Sequence, residues 1–333
     1  MSLLPLDDVP APASPRSPLR SPGAARLVTR VLTLLPLLLV AVWTAVDRRA
    51  VWDGAARLAT ADPRWLLSAA LCTALGWVAA ACVRQGALPE RLPFGPLLAS
   101  QFAAGAANHA LPAGLGAHAV TLRFLQSRGI PPARATASLA LYSLVKPLAK
   151  TLVLVVTVLA CPDLPPLGRL LPDGWTLLLA VAGSATALAT AALLLTFVRS
   201  LRRPASDLVR TALIDARLLH TRPARVLALW GGAAAMPVLQ ATVIASVGAA
   251  LGLPLSWAQV VLAFLAAGTV AGAVPAPGGI GPVDAALVVT LVGFGAPMDI
   301  STATVIGYRV IAVWVPLLPG ALVLSALAHR GVL

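Results

Sequence analysis

Charged side chains are scarce in this sequence. Asp, Glu, Lys and Arg account for 11% of the 333 residues, whereas they make up about 25% of a typical soluble domain. Hydrophobic residues account for 59%. This composition argues against a soluble globular fold and predicts an all-α integral membrane protein.

Glutamates and cysteines are fewer still. Glu90 is the only glutamate, so catalysis by paired carboxylates has few candidate residues. The three cysteines form no CxxC pair, and no HExxH, GxSxG, P-loop or dinucleotide-binding motif occurs. We therefore expect no catalytic residue, no metal site and no cofactor, which lowers the expectation of an enzyme without removing it.

Basic residues outnumber acidic ones by 25 to 12, which gives a net charge of +13. Such a balance can indicate nucleic-acid binding, but most of these arginines lie between apolar runs, as in the cytoplasmic loops of membrane proteins. We predict a disordered Pro/Ser-rich tail over residues 1–26 and a basic loop over residues 199–225, both cytoplasmic. This assignment puts both termini in the cytoplasm and makes lipids, rather than nucleic acid, the expected partners.

Six apolar runs are long enough to cross the roughly 30 Å hydrocarbon core of a bilayer as helices. They are residues 27–46, 65–83, 135–160, 175–198, 226–251 and 301–328. Arg64 and Arg84 bracket the second run, and we expect their side chains to reach the lipid headgroups. The chain is thus predicted to form a multi-pass membrane domain over residues 27–328, with halves over 65–198 and 226–328.

Two other apolar segments are interrupted by glycine and proline. Residues 97–112 lead through a Pro-Ala-Gly-Leu-Gly sequence into a short run over 119–125, and residues 257–274 lead through a Pro/Gly-rich stretch into 283–294. Neither half of the first segment spans comfortably, and residues 283–294 of the second are only about 12 residues of apolar helix. Non-helical backbone at membrane depth must be covered by protein or line a cavity. Both segments are therefore predicted to be re-entrant hairpins. Their broken backbone comprises Gly114, Gly116, Pro277, Gly278, Gly279 and Gly281.

The two broken segments also align with each other. An offset of 165 takes Gly114-Leu115-Gly116 onto Gly279-Ile280-Gly281, and an offset of 166 takes Tyr142 onto Tyr308. With the 199–225 loop in the cytoplasm, the first hairpin enters from inside and the second from outside. The predicted fold is therefore about six full transmembrane helices plus two hairpins, arranged as an inverted repeat of the kind common in transporters.

These motifs resemble a known membrane family. The stretch from Pro277 to Leu287, followed by Tyr308-Arg309 and Trp314-Val315-Pro316, is similar to the lysylphosphatidylglycerol synthase transmembrane region, or flippase-like domain. The first half resembles it at residues 111–116, at Arg123 and at residues 129–132, so that the resemblance covers roughly residues 60–328.

The resemblance implies the lipid-translocating half of such proteins without a cytosolic synthase domain. It adds Arg123 to the candidate substrate-binding residues. The sequence departs from the family at Ala117-His118, where an acid is usual, and near Tyr142, Ser143 and Lys146, where a glutamate-arginine pair is usual.

A few polar side chains lie deep in the apolar segments, where each is costly alone. Asp284 and Arg309 could neutralise each other as a structural pair, or Arg309 could bind an anionic headgroup beside Tyr308. Lys146 and Lys150 lie one helical turn apart and could offer positive charge to the same group. The remaining candidates flank the first break and are Asn108 and His109.

Three functions remain open. The first is translocation of an anionic phospholipid or a polyprenyl phosphate across the bacterial cytoplasmic membrane. The second is a membrane-embedded transferase, or a partner of an enzyme that assembles glycolipids or the cell envelope. The third is a scaffold without transport, and a homo-oligomer is possible for each.

Overall fold

The computed structural model describes residues 61–110, 115–160, 221–270 and 281–329, together with Arg210 and Arg217. Within these ranges the regular secondary structure is entirely helical. Eight helices are described: α1 Pro63–Gly86, α2 Phe94–Ala110, α3 Leu115–Ser127, α4 Pro132–Ala160, α5 Pro223–Ala250, α6 Trp257–Val270, α7 Pro282–Gly293, and α8, which runs without interruption through Met298–Arg309, Val310–Trp314 and Val315–His329.

Four of the described helices, α1, α4, α5 and α8, are long and apolar enough to cross a membrane. They match the runs predicted over residues 65–83, 135–160, 226–251 and 301–328, which confirms a helical membrane protein over the described part of the chain. Other predictions lie outside the described residues. They are the spans over 27–46 and 175–198, the tail over 1–26, most of the 199–225 loop, and Gly114, Pro277, Gly278 and Gly279.

Helix α4 presents different kinds of residue on different faces. Leu144, Leu148 and Leu152 recur every fourth residue and are 64%, 57% and 56% exposed, as expected for a face turned to lipid. Ala149, on another face, is buried against the bundle. The lysines at 146 and 150 share a third face, so the helix can present charge away from the leucine stripe.

Several chain connections meet at one end of the bundle, which we call the arginine end. The Arg225 guanidinium at the start of α5 donates to the carbonyl oxygens of Gln85 and Pro89, where α1 ends. Arg134 at the start of α4 lies 2.6 Å from Glu90 in a salt bridge. The starts of α4 and α5 therefore lie beside the α1–α2 connection. The 251–256 connection lies at the opposite end, because α5 runs the full span before reaching it. The 294–297 connection lies there too, because Phe294 and Ala296 share a hydrophobic cluster with Leu253.

The four shorter helices form two antiparallel pairs that begin at opposite ends of the bundle. Helix α2 starts at the arginine end, and the start of α3 packs against it so closely that a methyl group on Gly116 would collide with the Ala107 carbonyl oxygen. Helix α6 starts at the other end, and α7 returns to it. The Thr290 hydroxyl donates across this pair to the Ala263 carbonyl oxygen, 3.3 Å away. With 14 and 12 residues, α6 and α7 are each about 20 Å long, too short to cross alone.

Candidate functional site

A cavity of about 560 Å³ lies where the short helices meet the long ones. It is lined by residues from every described helix, and its volume falls within the roughly 300–1,000 Å³ typical of small-molecule sites. Most of the candidate residues lie on its wall: Asn108, His109, Lys146, Lys150, Asp284, Tyr308 and Arg309. Arg123 is not among the lining residues, because it lies on an exposed face of α3.

Asp284 and Arg309 form an ion pair in this wall. Arg309 Nε donates to Asp284 Oδ1 at 2.6 Å, and the two side chains are 9% (Arg309) and 21% (Asp284) exposed. The backbone N–H of Gly281 donates to the other carboxylate oxygen, Oδ2, at 3.1 Å. The Asp284 carboxylate therefore binds both the backbone at the beginning of α7 and the Arg309 side chain. The second contact links the α6–α7 pair to α8.

Gly281 and Pro282 explain why α7 begins where it does. Gly281 has φ of +93°, a backbone conformation that glycine adopts readily and that strains other residues. Pro282 then occupies the first helical position, where its missing N–H is not needed. Asp284 follows in the first turn, where a carboxylate is favoured by the positive end of the helix dipole.

Arg84 also belongs to the cavity wall, so its predicted position among the headgroups is wrong. It is 6% exposed, and its guanidinium carbon lies 3.7 Å from the centroid of the Tyr142 ring. The aromatic face attracts the cation inward and compensates part of the cost of removing it from water. Its Nε atom has no hydrogen-bond partner among the described residues.

The two lysines of α4 point into the same cavity. Lys146 Nζ lies 5.8 Å from the centroid of the Tyr142 ring, and Lys150 Nζ lies 5.8 Å from the centroid of the Phe264 ring. Gly268 leaves room for Lys150, because a methyl group there would collide with Nζ. The predicted shared face of Lys146 and Lys150 is therefore confirmed.

Histidines contribute polar groups from α2 and α3. His109 Nδ1 lies 2.9 Å from the Gly105 carbonyl oxygen, which accepts a hydrogen bond from it. His118 Nε2 lies 3.3 Å from the Ser143 hydroxyl oxygen. The His118–Ser143 and Asp284–Arg309 pairs occupy positions that differ by 166 residues, the offset that also relates Tyr142 to Tyr308.

Positive charge dominates the cavity wall. The described lining residues include Arg84, Lys146, Lys150 and Arg309 but a single carboxylate, Asp284. Gln101 and Gln240 add amide groups to the wall, and neither was among the predicted site residues. Within the described residues, no group of three or more His, Cys, Asp or Glu side chains is close enough to hold a metal ion.

These features define a helical membrane protein with a basic, polar cavity inside its bundle. The model of the family described as lysylphosphatidylglycerol synthase TM region matches residues 27–320, and the chain belongs to this family. The family expected from the sequence motifs is thereby confirmed. No curated protein matches the chain.

Proposed function

We propose that this protein moves a lipid with an anionic headgroup across the bacterial cytoplasmic membrane. The observation that carries the proposal is the charge of the cavity wall. Its described residues include one carboxylate, Asp284, and four cations, Arg84, Lys146, Lys150 and Arg309. Positive groups within a membrane bundle are partly removed from water, and an anion that enters the cavity offsets this cost. A phospholipid or polyprenyl phosphate headgroup supplies that anion while its chains remain in the hydrocarbon layer.

The arrangement of short helices supports transport. In transporters with inverted repeats, broken helices from the two halves meet at a binding site near the midplane. Here the α2–α3 and α6–α7 pairs start from opposite ends and both contribute to the cavity wall. The 166-residue offset between the His118–Ser143 and Asp284–Arg309 contacts fits the same scheme, with an ion pair in the second half and a histidine–serine contact in the first.

Orientation and partners belong to the same proposal. The arginines near the connections at the arginine end favour placing that end in the cytoplasm. On this orientation the α2–α3 pair enters from the cytoplasm and the α6–α7 pair from outside. The protein would act on lipids without covalent chemistry, alone or as a homo-oligomer.

A reconstituted transport assay tests the proposal. The purified protein is placed in proteoliposomes, and the transbilayer movement of labelled phosphatidylglycerol, aminoacylated phosphatidylglycerol and a polyprenyl phosphate is followed. We expect movement of at least one anionic lipid and its loss in Arg309→Gln, which keeps hydrogen-bonding groups but removes the charge that binds a headgroup.

The matched control is Arg64→Gln, an exposed arginine at the start of α1 that lies outside the cavity. It should transport at the normal rate. If folded protein moves none of the lipids, the transport proposal is wrong, and a role as a partner of an envelope-assembly enzyme becomes the better hypothesis. Loss of transport in both variants would contradict the conclusion that transport depends on the charge of the cavity.

A further inference from the structure

The cations of the cavity fall into two groups that differ in how their charge is balanced. Arg309 has its carboxylate, Asp284, at 2.6 Å. Arg84, Lys146 and Lys150 have no carboxylate within salt-bridge distance among the described residues. The unbalanced positive charge therefore lies on the α1 and α4 side of the cavity.

We propose that Arg84, Lys146 and Lys150 form a phosphate-binding subsite selective for a phosphate monoester over a phosphodiester. The inference rests on the proposed function and narrows its substrate class. A phosphate monoester carries between about 1.5 and 2 negative charges at pH 7, and it presents three terminal oxygens to donors. A phosphodiester, as in phosphatidylglycerol, carries one negative charge and presents two.

Arg84 provides the fixed part of this subsite. Its guanidinium carbon lies 3.7 Å from the centroid of the Tyr142 ring, and the residue is buried. A guanidinium carries five N–H donors, so contact with one ring leaves donors for an acceptor. Arg84 lines the cavity, so its terminal N–H groups can donate to a phosphate oxygen that enters there. Its Nε atom is buried and has no hydrogen-bond partner among the described residues, so we assign the phosphate contact to the terminal groups.

The lysines provide the adaptable part. Lys146 approaches the same Tyr142 ring as Arg84, so the two cations lie around one aromatic side chain. Lys150 stands one turn further along α4, where Gly268 makes room for its ammonium group. Flexible lysine side chains can follow a phosphate over a short distance, whereas the planar guanidinium fixes its orientation.

Charge balance is the reason for preferring the monoester. Three positive groups crowded on one side of a membrane cavity repel one another in the absence of a ligand, and a doubly charged group relieves more of this repulsion than a singly charged one. A phosphodiester would leave two of the three cations without a counter-charge. The lipid-linked phosphate is thus favoured over phosphatidylglycerol among the substrates proposed above.

Binding, measured separately from transport, tests the subsite. The full chain in nanodiscs of zwitterionic lipid is titrated with short-chain phosphatidic acid, with phosphatidylglycerol of the same chain length, and with glycerol 3-phosphate. We expect phosphatidic acid to bind about tenfold more tightly than phosphatidylglycerol. Arg84→Gln and Lys146→Gln should each reduce this preference at least several-fold, whereas Arg64→Gln on the same helix as Arg84 should keep it.

The possible results separate the subsite from the transport proposal. Equal binding of the two lipids, or a preference that survives in folded Arg84→Gln and Lys146→Gln, overturns the subsite even if lipid transport is observed. A monoester preference lost in both variants supports the subsite even if no lipid moves in proteoliposomes. If glycerol 3-phosphate binds as tightly as phosphatidic acid, the phosphate subsite is supported, but the conclusion that its ligand is a lipid is overturned.

Discussion

Two arginines line the same cavity, and replacement with methionine should destabilise the protein at Arg309 but not at Arg84. Arg309→Met leaves the Asp284 carboxylate without the cation that stands 2.6 Å away. Arg84→Met removes a buried cation that has no carboxylate partner among the described residues. Methionine preserves much of the length and flexibility of the arginine side chain, so packing changes little in both variants.

The two magnitudes follow from the contacts. Removing one partner of a buried ion pair costs about 3–5 kcal/mol. Asp284 stays bonded to the Gly281 N–H and is 21% exposed, so the lower end, about 3 kcal/mol, applies to Arg309→Met. Arg84→Met loses a cation–π contact worth about 2 kcal/mol but relieves a desolvation penalty of several kcal/mol. We expect a net change between zero and about 2 kcal/mol in the stabilising direction.

Thermal unfolding in detergent without added phosphate lipids measures both effects. The midpoint should fall in Arg309→Met and should stay constant or rise in Arg84→Met. A second substitution, Asp284→Leu, should recover part of the loss in Arg309→Met because it removes the orphaned carboxylate. If Arg84→Met is as unstable as Arg309→Met, then Arg84 is balanced by an acid, and the reasoning from unbalanced charge is refuted.

Three glycine substitutions test local geometry. Gly116→Ala should destabilise the protein by about 1–3 kcal/mol, measured by thermal unfolding, because its methyl group meets the backbone carbonyl of Ala107. Gly281→Ala should cost about 1–3 kcal/mol in the same measurement, because φ of +93° strains any residue with a Cβ atom. Gly268→Ala should leave the unfolding midpoint nearly unchanged but weaken phosphatidic acid binding several-fold, because it displaces the flexible end of Lys150.

Gly76→Ala is the matched control for these variants. Gly76 lies within α1, and a methyl group there meets nothing within 4 Å. Alanine is a better helix former than glycine by about 1 kcal/mol, so this change should be neutral or slightly stabilising. A loss as large as that of Gly116→Ala would show that close approach of the backbone is not the cause. Unchanged binding in Gly268→Ala would mean that the position of Lys150 is unimportant.

Much of the fold could be predicted because the bilayer imposes a length on its helices. The runs that became α1, α4, α5 and α8 were recognisable by length and hydropathy alone. The broken segments were recognisable because proline and glycine interrupt runs too short to span. Run length does not say how the helices pack, so the convergence of every described helix on one cavity required the structure.

Site residues were predictable only where a charged side chain lies deep in an apolar segment and therefore requires a partner of opposite charge. A pair of Asp284 and Arg309 was one of two possibilities from sequence, because each is expensive alone in an apolar segment, and the structure brings them into contact. Arg84 lies at the end of a run, where an arginine can equally reach outward to headgroups or inward to a ring. The choice depends on Tyr142, 58 positions later, and nothing local to Arg84 indicates it.

The two bonds of Asp284 suggest how a ligand could leave and return without unfolding α7. A phosphate that competes for Arg309 would release Asp284 Oδ1, while Oδ2 would keep the Gly281 N–H. The beginning of α7 would remain capped, and the α6–α7 pair would lose its ion pair to α8 while it kept its hydrophobic contacts with that helix. Binding at Arg309 and the strength of the contact between α7 and α8 are therefore coupled through one carboxylate. The His118–Ser143 pair contains no carboxylate, so the coupling is expected to be stronger in the second half of the chain than in the first.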